Sequence, residues 1–107
     1  MKEKIKCFNG LLEKALEFKN GDYFIDLDIS VNSVWIALRE KSSYEAVIVL
    51  YFFYNKLSIE DIKVLTDKII KLLRDVEKCT DIEKIKVKLP FERNVFIDVD
   101  KFIKGEK

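Results

Sequence analysis

The 107 residues, about 12.6 kDa, are enough for one domain, and 20 basic against 19 acidic side chains leave a net charge of +1. A hydrophobic content of 49% supports a buried core and excludes the low-hydrophobicity, high-charge composition of a disordered chain. The chain has no His and no Gln, so the usual general base and the commonest neutral metal ligand are missing; two Cys, one Pro and three Gly exclude a disulfide framework, a Cys-rich zinc site and a collagen or linker composition.

Residues 3–19 read as an amphipathic helix. Ile5, Phe8, Leu12, Ala15 and Leu16 recur at three- and four-residue spacing, with Lys4, Glu13, Lys14 and Glu17 elsewhere on its surface. Asn20-Gly21 supplies a left-handed stop, and Gly10 in the interior costs about 1 kcal/mol relative to Ala. Residues 22–30 then alternate as a strand, with Tyr23, Ile25, Leu27 and Ile29 on one face and Phe24, Asp26 and Asp28 on the other. After a turn at Val31-Asn32, residues 33–40 set Val34, Ile36 and Leu38 opposite Trp35, Ala37 and Arg39. Lys41-Ser42-Ser43 turns again. Residues 44–55 are apolar on both faces, Ala46, Ile48, Leu50 and Phe52 on one and Val47, Val49, Tyr51 and Phe53 on the other.

Residues 58–78 carry the strongest helical stripe, Ile62, Leu65, Ile69, Leu72, Leu73 and Val76, behind an N-cap at Ser58 with Asp61 three residues on. Residues 84–89 alternate as a strand with Ile85, Val87 and Leu89 inward and Lys84, Lys86 and Lys88 outward. Pro90 to Asn94 turns, residues 95–99 return as a fifth strand, and residues 101–107 form a helical turn or a tail. The predicted order is α-βββ-α-ββ. Short links between strands and one apolar stripe per helix predict an α+β fold, a two-layer sandwich in which two main helices lie on one face of an antiparallel sheet of about five strands. No shift in composition divides the chain, so residues 1–107 read as a single α+β domain.

The segment 44–55 is the anomaly. One face of such a sheet is expected to be polar, and a strand apolar on both faces must be covered on both. Three coverings fit: the first helix lying on the opposite sheet face, a sheet-to-sheet homodimer, or a partner or ligand groove. The last two place Trp35, Val47, Val49, Tyr51, Phe53 and Phe96 at the interface.

Chemistry-bearing patterns are sparse. Asp26-Leu27-Asp28 and Asp98-Val99-Asp100 are D-x-D pairs, each with both carboxylates on one strand face. If brought together they would suit Mg²⁺ or Mn²⁺. Ordinary turn and cap chemistry, with Asp100 capping the last helical turn, is the favoured explanation, so no metal site is assigned to Asp26, Asp28, Asp98 and Asp100. Cys7 inside a helix and Cys79 just past a helix C-terminus are read as small half-buried hydrophobes. Lys84, Lys86, Lys88 and Arg93, with Phe91 and Phe96 nearby, are the one basic-aromatic cluster. Three lysines on one strand face would track phosphates weakly, given the neutral overall charge. The α-βββ-α start is similar in element order to double-stranded-RNA modules, but the second helix begins Ser58-Ile59-Glu60-Asp61 without their basic cluster. The order is also similar to that of small dimeric α+β chaperones of secretion systems.

These observations predict a non-catalytic protein-interaction module that self-associates or binds a protein partner through its apolar sheet face and requires no cofactor. Weak nucleic-acid binding through Lys84, Lys86, Lys88 and Arg93 is the second expectation. The longest apolar run, Ala46 to Phe53, is eight residues, far below the ~20 of a membrane span, and the N-terminus lacks the apolar core of a signal peptide. A cytoplasmic location with reduced thiols is expected. Seventeen Lys among the 20 basic residues, with no Gln, match the bias of hyperthermophile proteins and equally that of an AT-rich genome.

Overall fold

Apolar–polar alternation in the first two strands and an unbroken apolar run in the third make the segment from Tyr23 to Phe53 a three-stranded antiparallel meander, around which the rest of the chain is arranged. In the computed structural model, which describes residues 2–79 and 81–105, α1 (Lys2–Lys6) and α2 (Asn9–Glu17) precede β1 (Tyr23–Ile29), β2 (Ser33–Glu40) and β3 (Ala46–Phe53). Then come α3 (Ile59–Lys78), α4 (Ile82–Lys86), β4 (Phe91–Glu92), β5 (Phe96–Ile97) and α5 (Val99–Lys104). The fold is α+β, with one five-stranded sheet in the order β1-β2-β3-β5-β4.

The sheet is mostly antiparallel, but β5 runs parallel to β3, anchored where the Val49 N–H donates to the Val95 carbonyl at 2.8 Å. Short turns between strands predict an all-antiparallel sheet, and that holds for β1, β2 and β3 and for the β4–β5 hairpin alone. The long link through α3 brings the chain back in the same direction, as a crossover must. The β4–β5 hairpin then adds β4 as an edge.

The core forms where the inward row of the meander meets α3. Val34, Ile36, Leu38, Ile48, Leu50 and Phe52 are buried, as are Ile62, Leu65, Ile69, Leu73 and Val76 along the predicted stripe of α3. The Ser58 hydroxyl accepts the Asp61 N–H at 3.1 Å and caps α3 as expected. Phe8 adds to the same core, its ring 6.0 Å from Phe52 and 5.1 Å from Tyr54.

Four local expectations are corrected. The helix predicted over 3–19 breaks at Cys7-Phe8, where i→i−3 bonds tighten the end of α1 and Phe8 turns into the core. The break shifts the phase of α2, so Leu11 is the buried residue while Leu12 and Leu16 of the expected stripe are 46% and 79% exposed. Asn20 acts through its side chain, not through a left-handed Gly21. Its Oδ1 accepts the Asp22 and Tyr23 N–H groups, and its Nδ2 donates to the Val76 carbonyl at the end of α3.

The third correction is the strand predicted over 84–89, which is instead helix α4 followed by a turn. Ile82, Ile85 and Leu89 face inward at helical spacing, whereas Val87 of the predicted inward row is 64% exposed. The Asp81 carboxylate caps this helix by accepting the Glu83 N–H at 3.2 Å. Finally, the predicted fifth strand shortens to Phe96–Ile97, because Asp98 accepts the Lys101 N–H and starts α5. The cap is therefore Asp98, not Asp100. Gly105 ends α5 in the left-handed region at φ +79°. Residues 106 and 107 of the expected 101–107 segment lie outside the described residues. With these extra helices the full order differs from the predicted α-βββ-α-ββ, although α2, the three strands and α3 keep the α-βββ-α start.

One ion pair ties α2 to α3. Glu77 takes the Lys14 ammonium on Oε1 and the Lys19 backbone N–H on Oε2 at 2.9 Å. The Lys14 hydrogen bond, opposed by burial and helped by the Lys19 N–H, holds the Glu77 carboxyl below its ordinary value. A carboxyl depressed in the folded state contributes stability that is present above its unfolded pKa and is lost as pH falls through its folded pKa. Glu77→Gln is accordingly expected to lower stability at neutral pH and to flatten the loss on acidification below the ordinary Glu range. Urea midpoints measured from pH 7 down to pH 3 check this; parallel wild-type and variant curves would refute it.

Candidate interaction surface

The outward row of the meander is set by the same two-residue period that fills the core. Cross-strand register places Asp28 beside Trp35 and Trp35 beside Tyr51. The next row aligns Asp26 with Ala37, Ala37 with Val49, and Val49 with Phe96. The aromatic rings form a connected cluster. Trp35 lies 5.8 Å from Tyr51, Tyr51 lies 5.4 Å from Phe53, and Trp35 meets Phe96 edge-on at 6.4 Å.

This last contact resolves part of the doubly apolar strand. Trp35 belongs to β2 and Phe96 to β5, with β3 between them, so their rings meet over β3 and roof Val49. Val49 is 2% exposed and Ala37 is fully buried. Aromatics from the strands on either side thus supply much of the covering, a fourth solution beside the three considered from the sequence. The first of those three, a helix on the opposite face, does not occur for α2, whose Leu11 joins the core on the inward row together with Phe8, which precedes the helix.

What stays exposed is Tyr51 at 44%, Phe53 at 51% and Phe96 at 36%, with Trp35 half-buried among them. Val47, also expected at the interface, sits beside the irregularity where β2 shifts register at Leu38/Arg39, and packs against the core cluster. A second aromatic pair, Phe24 and Tyr44 at 5.8 Å, lies toward the β1 side. Asp26 there bonds Arg39 Nε at 3.0 Å, and Arg39 Nη1 donates to the Tyr44 carbonyl at 2.9 Å. Asp26 and Arg39 are thus paired locally, whereas Asp28, beside Trp35, is exposed and makes no ion pair with the described residues.

The two D-x-D pairs do not converge. Asp26 and Asp28 lie on β1, while Asp98 follows β5, three strand spacings or about 14 Å across the sheet. Asp26 is committed to Arg39 and Asp98 to the α5 cap. Adding Mg²⁺, Mn²⁺ or Ca²⁺ is expected to leave the Tm unchanged. A site filled at 100 times its Kd would add about 2.7 kcal/mol, and a rise of several degrees that disappears in Asp26→Asn would overturn the expectation.

The basic residues are also redistributed. Lys84 and Lys86 sit on helix α4 and Lys88 in the turn after it, so the strand face predicted to carry them does not exist. Lys86 is half-buried, 3.9 Å from the Glu83 carboxylate and 5.5 Å from the centre of the Phe91 ring. Arg93 is in the β4–β5 turn at φ +58°, beside Asn94 at φ +66°. Both thiols are half-buried and hydrogen-bonded to backbone, Cys7 Sγ to the Glu3 carbonyl and Cys79 Sγ to the Asp81 carbonyl. Among the described residues, no helix is long and apolar enough to cross a membrane.

These features define a small α+β protein with an aromatic platform on its sheet. No family model, curated protein or solved structure matches the chain.

Proposed function

We propose that the protein is a non-catalytic interaction module whose sheet face binds a second copy of the chain. The observation carrying this reading is the connected cluster of Trp35, Tyr51, Phe53 and Phe96, which keeps three large rings exposed on the outward row. In this reading the fold is a two-layer sandwich with the helices on the inward row, so no helix among the described residues competes for the rings. Exposed contiguous aromatics mark interaction sites, and aromatic side chains dominate interface energetics. A flat apolar patch packs on its own copy around a two-fold axis, the commonest closed arrangement of soluble oligomers. The non-catalytic part of the reading rests on the lack of His, on Asp26 being held by Arg39, and on the engagement of both thiols with backbone carbonyls. A cytoplasmic setting with reduced thiols accords with this reading.

The deciding measurement is the mass in solution by light scattering at low and at high salt. A dimer that persists at 1 M salt supports apolar packing; a monomer at both salt concentrations refutes self-association. Mutual exclusion between dimer and added partner would instead assign the same face to a hetero-complex. Nucleic-acid binding by Lys84, Lys86, Lys88 and Arg93 has less support, because Lys86 is engaged by Glu83 and Phe91 and the cluster has no shared face with the aromatic platform.

A further inference from the structure

The lysines of α4 have a different partner surface. Helices α3, α4 and α5 enclose an open groove of about 650 Å³, within the usual size range of ligand-binding clefts. Its floor is apolar, built by Leu72, Ile85 and Leu89 over the buried Phe102. Lys71 and Lys78 stand along one wall on α3, seven residues apart and so about 10 Å along the helix. Lys84 and Lys88 form the facing wall.

Lys68, at one end, donates to the Phe102 and Ile103 carbonyls at 2.8 and 2.9 Å, which fixes α5 against α3 and holds the groove's shape. Among the described residues Asp75 is the one acidic side chain lining the groove, so its five lysines concentrate a charge of +4 there, in a chain whose total is +1. Lys71, Lys78, Lys84 and Lys88 are exposed and make no ion pair with the described residues.

We propose that this groove binds an acidic amphipathic helical segment of a partner protein, its apolar stripe on the apolar floor and its carboxylates against the two lysine walls. Three features select this occupant. The positive charge lies on both walls and extends along two helical turns, which matches carboxylates flanking an apolar stripe at three- and four-residue spacing. A fatty acid brings one carboxylate and leaves three lysines unmatched. A single-stranded nucleic acid needs exposed aromatic platforms for its bases, and the one aromatic in this lining, Phe102, is buried. The site is separate from the aromatic sheet face, so either can fail without the other.

The test is a titration at about 0.15 M salt with a labelled peptide of about 14 residues, long enough to lie beside both Lys71 and Lys78. Its Leu stripe would be flanked by Glu on both sides. A scrambled peptide of equal composition, a single-stranded DNA 12-mer and oleate are run in parallel. The stripe peptide is expected to bind at least about tenfold tighter than the scrambled one and to weaken as salt rises. The double variant Lys71→Glu/Lys84→Glu should lose at least about tenfold, and Lys63→Glu, on α3 outside the groove, should lose nothing. Should charge reversal unfold the protein, Lys71→Gln/Lys84→Gln serves with a smaller expected loss. Equal binding of the two peptides, an unchanged affinity in the lysine variants, or binding of the DNA or oleate alone would overturn the proposal.

Discussion

Exchanging Tyr51 and Phe53 together for glutamate is expected to convert a dimer into a monomer that is still folded but melts lower, having lost the stabilisation that association supplies. Both rings lie on the outward row, 44% and 51% exposed, and neither belongs to the buried core. Within the monomer the change removes the Tyr51–Trp35 and Tyr51–Phe53 ring contacts, each worth about 0.5–1.5 kcal/mol, which leaves the core intact. At a packed interface the same residues are anchors, each worth about 2 kcal/mol or more, and an uncompensated carboxylate there costs further. A combined loss of about 4 kcal/mol raises the dissociation constant roughly a thousandfold, enough to abolish a micromolar dimer at working concentration.

Light scattering and thermal melts on the same samples read both quantities. A double variant that keeps the dimer mass would place the interface elsewhere, and one that unfolds would mean the rings support the monomer. Val49 is the wrong site for this experiment even though it lies on the same row. At 2% exposure beneath the Trp35–Phe96 contact, a lysine there would unfold the chain and reveal nothing about association.

Replacing Tyr54 by Ala is expected to cost about 3–5 kcal/mol, the range for large aromatic truncations in cores. Tyr54 is fully buried, its ring stands edge-on to Phe8, and its hydroxyl donates to the Ser30 carbonyl at 2.7 Å. It thereby fastens the end of β3 to the β1–β2 turn and to the start of α2. Against a total of about 5–15 kcal/mol for a domain, the variant is close to unfolding.

Tyr54→Phe separates the two contributions, because it keeps the ring and removes only the donor, at about 1–2 kcal/mol. Urea denaturation should show both midpoints falling, Ala further than Phe, with unchanged slope. Equal effects of the two substitutions would mean that the ring packing contributes nothing. Burial also raises the Tyr54 phenol above its ordinary value of 10.0. Its stabilising share is thus fully present below that value and is lost as pH rises through the folded pKa.

The meander and α3 were legible because their signals are local. β1 and β2 alternate over at least seven residues, β3 is an unbroken apolar run bounded by turns, and α3 combines an apolar stripe of about four turns with a Ser cap. Residues 82–89 carried two periods at once. Ile85, Val87 and Leu89 alternate as a strand, while Ile82, Ile85 and Leu89 recur as a helix. Docking beside α3 selected the helical set, leaving Val87 outside. A signal was present in Asp81, a cap residue directly before Ile82, and likewise in Asp98 and Gly105, which bracket α5 with a cap and a left-handed stop.

The aromatic surface was half legible. Trp35, Tyr51, Phe53 and Phe96 were placed on the outward row from their alternation alone, and the apolar excess of β3 pointed to a covering. The covering itself depends on β5 lying parallel beside β3, a non-local pairing between residues 49 and 96 that no local pattern encodes. The lysine groove depends equally on distance along the chain, since Lys71 and Lys84 share it only because α4 folds back beside α3. By itself the sequence determined the α+β class, the three-stranded meander, the cap and stripe of α3 and the membership of the aromatic row, all of which follow from side-chain period within one segment. Tertiary packing decided the break at Phe8, the helix at 82–86, the parallel β5 and the groove, because there competing local periods were nearly equal and burial against a distant element chose between them.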